Sequence, residues 1–188
     1  MLQRRALVEE LLRNRGGLLV VTGLGSPTYD VAACGDSPLN FYLWGAMGSA
    51  AMVGLGLALA RPERRVAVIT GDGEMLMGLG ALATIGVKQP ENLAIVVLDN
   101  RHYGETGMQA SHTGRGTSLT GVATACGFRQ ALSLSRQEDV AAVRHAVQAA
   151  AGPVLVQAHV DTAEVERVLP LRDGHEIRLR FTHAVAGR

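Results

Sequence analysis

The apolar runs VAVIT (66–70) and LAIVVLD (93–99) constrain this chain more than any other feature. Each is continuous rather than alternating and has the length of a strand, the pattern of a strand buried on both faces. A helical pattern over about 75–88 separates them. The same alternation continues on either side. GLLVVTGLG (17–25) reads as a strand, followed by a Pro/Gly/Asp-rich loop and a helix from about Met47 to Ala60. Beyond a Gly-rich loop come a helix over 120–127, a strand over 128–134, a helix over 135–150 and a strand over 153–160. Strands alternating with helices imply the α/β class: a three-layer, doubly wound, mainly parallel sheet with helices on both faces. Residues 1–160 are expected to form this domain, opening on a helix over about 1–15. Residues 161–188 mix charges with few aromatics and are expected to be a solvated C-terminal tail or a contact arm.

Composition narrows the function classes. A chain of 188 residues suits one domain, and only 19% of its residues are charged, with a formal net charge of +1. That balance gives no electrostatic footprint for nucleic acid or an anionic membrane. Cys34 and Cys126 are far apart, which suggests neither a disulfide framework nor a paired-cysteine metal site, and a cytoplasmic location is expected. The uncharged stretch at 39–60 is long enough to cross a bilayer. It nevertheless contains Gly45, Gly48, Gly54 and Gly56 and runs through Arg61 into the strand at 66–70, so a buried, closely packed helix is the better reading.

At the end of VAVIT stands GDG, with Asp72 between Gly71 and Gly73, and at the end of LAIVVLD stands Asn100. A helix running back down a sheet face and a strand climbing it again cover comparable distances. Asp72 and Asn100 are therefore expected side by side at the carboxyl edge of the sheet, where such folds bind ligands. A carboxylate and an amide oxygen there suit a hard divalent cation such as Mg²⁺, completed by phosphate oxygens. Gly73 also leads into a helix N-terminus, which favours a phosphate. Taken alone, GDG also reads as a tight turn whose Asp72 caps the next helix.

GDG, the 26 residues 74–99 and then Asn100 resemble the signature of thiamine-diphosphate-dependent enzymes. NFYLWGAMGSAAMVGLGLALA before it and VVLDNRHYGETGMQASHTG after it resemble the diphosphate-binding half of the phosphonopyruvate and sulfopyruvate decarboxylases. The resemblance covers roughly residues 17–160 and is closest in kind to a β, cofactor-binding subunit. It implies that Asp72 and Asn100 bind Mg²⁺ by side chain and His102 by its backbone carbonyl. It further implies that Gly73 and Glu74, with the loop Tyr103, Gly104, Glu105 and Thr106, meet the diphosphate. In GAMG, Gly45 would accept from the aminopyrimidine, with Ala46 beside it, and Met47 would wedge between the two cofactor rings; a Met on a buried helix is also common core filling. Two departures stand out: Glu74 puts an acid beside the diphosphate unless its side chain turns away, and Asp99 stands where many relatives begin an Asn-Asn pair.

The resemblance also implies a missing half. The glutamate that assists the cofactor belongs to a pyrimidine-binding domain, for which this chain has no length, so a separate α subunit and a hetero-oligomer are expected, with weak cofactor affinity for the chain alone. The implied reaction is decarboxylation of an anionic 2-oxo acid. His112, in QASHTGRG, and Arg115 are candidates to meet that anion or to move a proton, although a loop histidine is also often just solvated. The β subunit of a 2-oxoacid oxidoreductase, a carboligase and a non-catalytic thiamine diphosphate-binding module are the alternatives. A P-loop protein is disfavoured, because GxxxxGK[ST] does not occur.

Overall fold

Every strand pairing in the main sheet is parallel. The computed structural model describes residues 1–187. In chain order the elements are α1 (Arg4–Leu12), β1 (Leu19–Thr22), α2 (Ser26–Ala33), β2 (Asn40–Tyr42), α3 (Ala50–Ala60), β3 (Val66–Gly71), α4 (Asp72–Met77), α5 (Ala81–Lys88), β4 (Leu93–Asp99), β5 (His102–Tyr103), β6 (Gln109–Ala110), α6 (Leu119–Ala125), β7 (Gln130–Leu134), α7 (Val140–Gln148), β8 (Val154–His159) and α8 (Gly174–Ala186). The main sheet runs β2-β1-β3-β4-β8-β7, and β5 and β6 form a small antiparallel ribbon.

The continuous apolar runs become strands covered on both sides. Val20, Ala67, Ile69 and Val96 join Leu11, Val31 and Val143 in the core on one face. Val21, Val68, Ile95 and Val97 join Leu55, Ile85 and Leu119 on the other. All seven residues of β4 are buried, each large apolar side chain contributing about 1.5–3 kcal/mol of burial.

Several elements differ from the sequence reading. The helix expected from Met47 begins at Ala50, because Ala46 and Gly48 adopt φ of 54° and 88°, outside the right-handed helical region. The uncharged stretch at 39–60 is divided between β2, that turn and α3, and no helix of the described residues is long and apolar enough to cross a membrane. Within α3, a β-carbon at Gly54 would overlap Val68 Cγ2, so the glycine sets how closely this helix lies on β3. The helix expected over 75–88 is two helices, parted at Gly78–Gly80. The Pro/Gly/Asp-rich loop contains α2, whose first turn holds Pro27 where its missing N–H costs nothing.

The tail is not solvated along its length. Asp173 caps α8 by accepting from the Glu176 N–H at 2.9 Å, and Ile177 and Phe181 are buried. Phe181 meets the Phe41 ring edge-on at 5.3 Å, and Arg180 pairs with Asp36 at 2.5 Å. Upstream, the Trp44 indole donates to the Leu171 carbonyl at 2.8 Å. The last residue, 188, lies outside the described residues.

Candidate active site

Pairing between β3 and β4 places Gly71 opposite Leu98. Asp72 and Asp99 are the next residues at the carboxyl edge, with Asn100 one position further. The chain leaves β1 for β2 on one side, whereas β3 lies on the other, so the sheet order reverses between β1 and β3. Open α/β sheets form a ligand crevice at such a point. Here it is a cavity of about 180 Å³ with walls from Leu24, Ser26 and Pro27 after β1, Gly71–Glu74 after β3, and Asn100 with His102–Thr106 after β4. Met47 closes one side. The candidates thus converge, except that Gly45 and Ala46 lie exposed in the turn before Met47 and His112 lies elsewhere.

Asp72 is only 2% exposed. It is the first residue of α4, whose N-cap position is held by Gly71 without a side-chain bond, so Asp72 is not a capping acid. Ser111 donates to Asp72 Oδ2 at 2.5 Å. The Thr113 hydroxyl lies 2.7 Å from Asp99 Oδ1 and 3.3 Å from Asp72 Oδ2, and Gln157 donates to Asp99 Oδ2 at 2.7 Å. Burial pushes the Asp72 carboxyl above the ordinary carboxylate range; the nearby Asp99 charge adds to this, and the hydroxyl hydrogen bonds oppose it. A buried carboxylate beside a second acid is short of positive charge, which a bound cation would supply.

The neighbouring donor set suits such an ion. Asn100 Oδ1 accepts from the His102 N–H at 2.9 Å and has a second lone pair. The His102 ring is turned back, its Nδ1 2.8 Å from the Asn100 carbonyl. Among the described residues no three His, Cys, Asp or Glu converge as a metal cage. A cation at Asp72 would therefore complete its shell from neutral oxygens and a ligand's own oxygens, the habit of Mg²⁺.

Glu74 resolves the difficulty its charge raised. Its carboxylate turns toward β1, where Oε2 accepts from the Leu24 N–H at 3.1 Å and the Thr70 hydroxyl at 3.0 Å. The side chain is buried and Oε1 has no partner. Gly23 makes room for it: a β-carbon there would overlap the carboxylate.

A second cavity of about 470 Å³ shares Met47, Gly73 and Tyr103 with the first and adds Met77, His112 and Thr117. Met47, 39% exposed, thus stands between two cavities. The Tyr103 hydroxyl lies 2.9 Å from His112 Nδ1, which places His112 on the second cavity, while Arg115 is exposed on the same loop. The sequence reading missed Ser111 and Thr113, whose only sign was a pair of hydroxyl residues flanking His112. It also missed Leu24, at the end of the run read as a strand, and Ser26, in the segment taken for a loop.

Residues 24–158 match the family described as thiamine pyrophosphate enzyme, C-terminal TPP binding domain, and the chain belongs to that family. It is 38% identical over 187 residues to sulfopyruvate decarboxylase subunit beta of Methanothermobacter thermautotrophicus, covering 100% of this chain and 97% of that one. It is 36% identical to phosphonopyruvate decarboxylase of Streptomyces viridochromogenes, covering 96% of this chain and 46% of that longer protein. Its fold superposes on the thiamine diphosphate-dependent 4-hydroxybenzoylformate decarboxylase of Rhodococcus jostii RHA1 with a TM-score of 0.71 at 20% identity, covering 87% of this chain and 33% of that one.

Proposed function

We propose that this chain is the cofactor-binding β subunit of a thiamine diphosphate- and Mg²⁺-dependent decarboxylase acting on an anionic 2-oxo acid of the sulfopyruvate or phosphonopyruvate kind. The observation that carries the proposal is the meeting of Asp72, Asn100 and the His102–Thr106 segment in one cavity at the point where the sheet order reverses. When bound, the cofactor supplies a nucleophilic carbon and an electron sink for loss of CO₂.

The chain's own residues hold and orient. The Asp72 carboxylate, the Asn100 amide oxygen and the His102 carbonyl would hold Mg²⁺. Backbone N–H groups of Gly73 and Glu74 open α4 without intrahelical partners and would donate to the diphosphate, alongside Tyr103, Gly104, Glu105 and Thr106. Because the Glu74 carboxylate is turned away, its charge does not compete for that place. Met47, between the cavities, would hold the two rings apart, with the Gly45 carbonyl toward the aminopyrimidine. His112, set by Tyr103, borders the second cavity, where the 2-oxo acid would lie and where His112 could deliver a proton. A separate pyrimidine-binding α subunit would close that cavity and contribute the assisting glutamate, giving a hetero-oligomer. The two free thiols accord with a cytoplasmic enzyme.

Calorimetric titration of thiamine diphosphate with Mg²⁺ and with EDTA, on the chain alone and with its α subunit, tests the proposal. Metal-dependent binding lost in Asp72→Ala is expected; absence of binding in both settings refutes it.

A further inference from the structure

The first cavity has three carboxylate residues on its walls, Asp72, Glu74 and Glu105, and one Arg or Lys, Arg4. Arg4 is the first residue of α1, and its side chain is only 12% exposed. Its Nε is held by Asp30 Oδ2, and the Asp30 side chain is fully buried. Arg5 shares that acid from the other oxygen, at 3.2 Å, but sends its Nη2 to the Glu166 carbonyl at 2.5 Å. The two terminal nitrogens of Arg4 have no acceptor among the described residues, and neither is a sealed, unpaired atom.

Resting on the thiamine diphosphate reading above, we infer that Arg4 is a diphosphate-binding residue, anchored through Nε by Asp30 and donating from its terminal nitrogens across the β1–α2 side of the cleft. Charge balance favours such a group. A diphosphate carries several negative charges into a cleft whose walls already include Asp72 and Glu105, and one Mg²⁺ does not offset them all. Arg4, on the cavity wall, would offer the anion a planar donor fork, the geometry that suits phosphate oxygens. Asp30 has a further effect. It fixes the guanidinium before ligand arrives, so little side-chain freedom is lost on binding.

The test is calorimetry of Mg²⁺–thiamine diphosphate, and of thiamine without phosphates, against wild type, Arg4→Gln, Arg4→Lys, Arg5→Gln and Arg4→Gln/Asp30→Asn, on the chain alone and with its α subunit. Arg4→Gln should weaken thiamine diphosphate roughly ten- to hundredfold, the scale of a charge-assisted hydrogen bond, and leave thiamine nearly unchanged. Arg4→Lys should fall between, and Arg5→Gln should stay within about twofold. The double variant, which leaves no unpaired buried acid and so guards against misfolding, should bind as weakly as Arg4→Gln. Recovery of affinity in the double variant, or an equal loss in Arg5→Gln, would show that Arg4 only neutralises Asp30 and would overturn the inference. Wild-type affinity for thiamine diphosphate retained in Arg4→Gln would overturn it too. A wild type that binds no thiamine diphosphate in either setting would instead sink the reading on which it rests.

Discussion

Ser111 donates its hydroxyl to Asp72 Oδ2 at 2.5 Å, tying the loop after β6 to the acid that opens α4. Both residues are buried, so the bond has no water to replace it. Removing a hydrogen bond to a buried charged group costs about 1.5–3 kcal/mol. Ser111→Ala is therefore expected to lower unfolding stability by about that amount in EDTA. Saturating Mg²⁺ should restore part of it by supplying the lost positive potential. Denaturant melts in the two buffers check this, and equal losses in both would count against a cation at Asp72.

Asp72→Asn should separate stability from function. The raised pKa means that the fold disfavours the ionised form, through burial first and the Asp99 charge second. The sign follows: the penalty is absent below the ordinary carboxylate range and complete once the pH exceeds the raised value. In EDTA at neutral pH the amide variant should melt above wild type, and the gain should vanish on acidification. Added Mg²⁺ should raise the melting temperature of wild type alone. Thermal melts across pH, with and without metal, read both effects.

Gly23 and Glu74 form a size-matched pair. Gly23→Ala should destabilise the fold by roughly 1–3 kcal/mol, because its β-carbon meets the carboxylate that Leu24 and Thr70 hold. Glu74→Ala should also cost roughly 1–3 kcal/mol, by leaving the Leu24 N–H unpaired. Together the two changes should cost clearly less than their sum, since the methyl enters space the carboxylate has left. A double-mutant cycle by urea denaturation measures the coupling, and simple additivity would refute the pairing.

The hold on α8 should loosen in acid. Burial works against ionisation of Asp36, but hydrogen bonds from Arg180, Tyr42 and the Ser37 N–H outweigh it and keep the carboxyl below its usual range. A depressed pKa contributes stability that is present above the unfolded value and lost as the pH falls through the folded one. Protection from hydrogen exchange over 174–186, relative to the intrinsic rate at each pH, should therefore fall at low pH in wild type. In Asp36→Asn it should already be low at neutral pH and respond less to acid. Both partners are partly exposed, so the effect should be modest and confined to this helix.

The sheet and the Asp72–Asn100 edge were legible because each depends on local pattern. Continuous apolar runs such as LAIVVLD mark strands covered on both faces, and their lengths fix where they end. The helix α2 was not legible, since Gly25, Ser26 and Pro27 are turn residues whose helical use depends on docking beside β1. Nor was α8, where only Ile177 and Phe181 reach the core amid charged neighbours. The direction of the Glu74 side chain was hidden for a different reason. It depends on Gly23 and Leu24, far away in sequence and adjacent only once β1 and β3 pair. The same holds for Ser111 and Arg4, which reach the site through tertiary approach alone.

On the proposed function, the position of Met47 between two cavities would couple loading to assembly. A ligand spanning both sides of this residue would touch the chain on one side and the proposed α subunit on the other. Thermodynamic reciprocity would then have each strengthen the other's hold by the same factor. Scarcity of the cofactor would loosen the subunits, and scarcity of one subunit would loosen the cofactor.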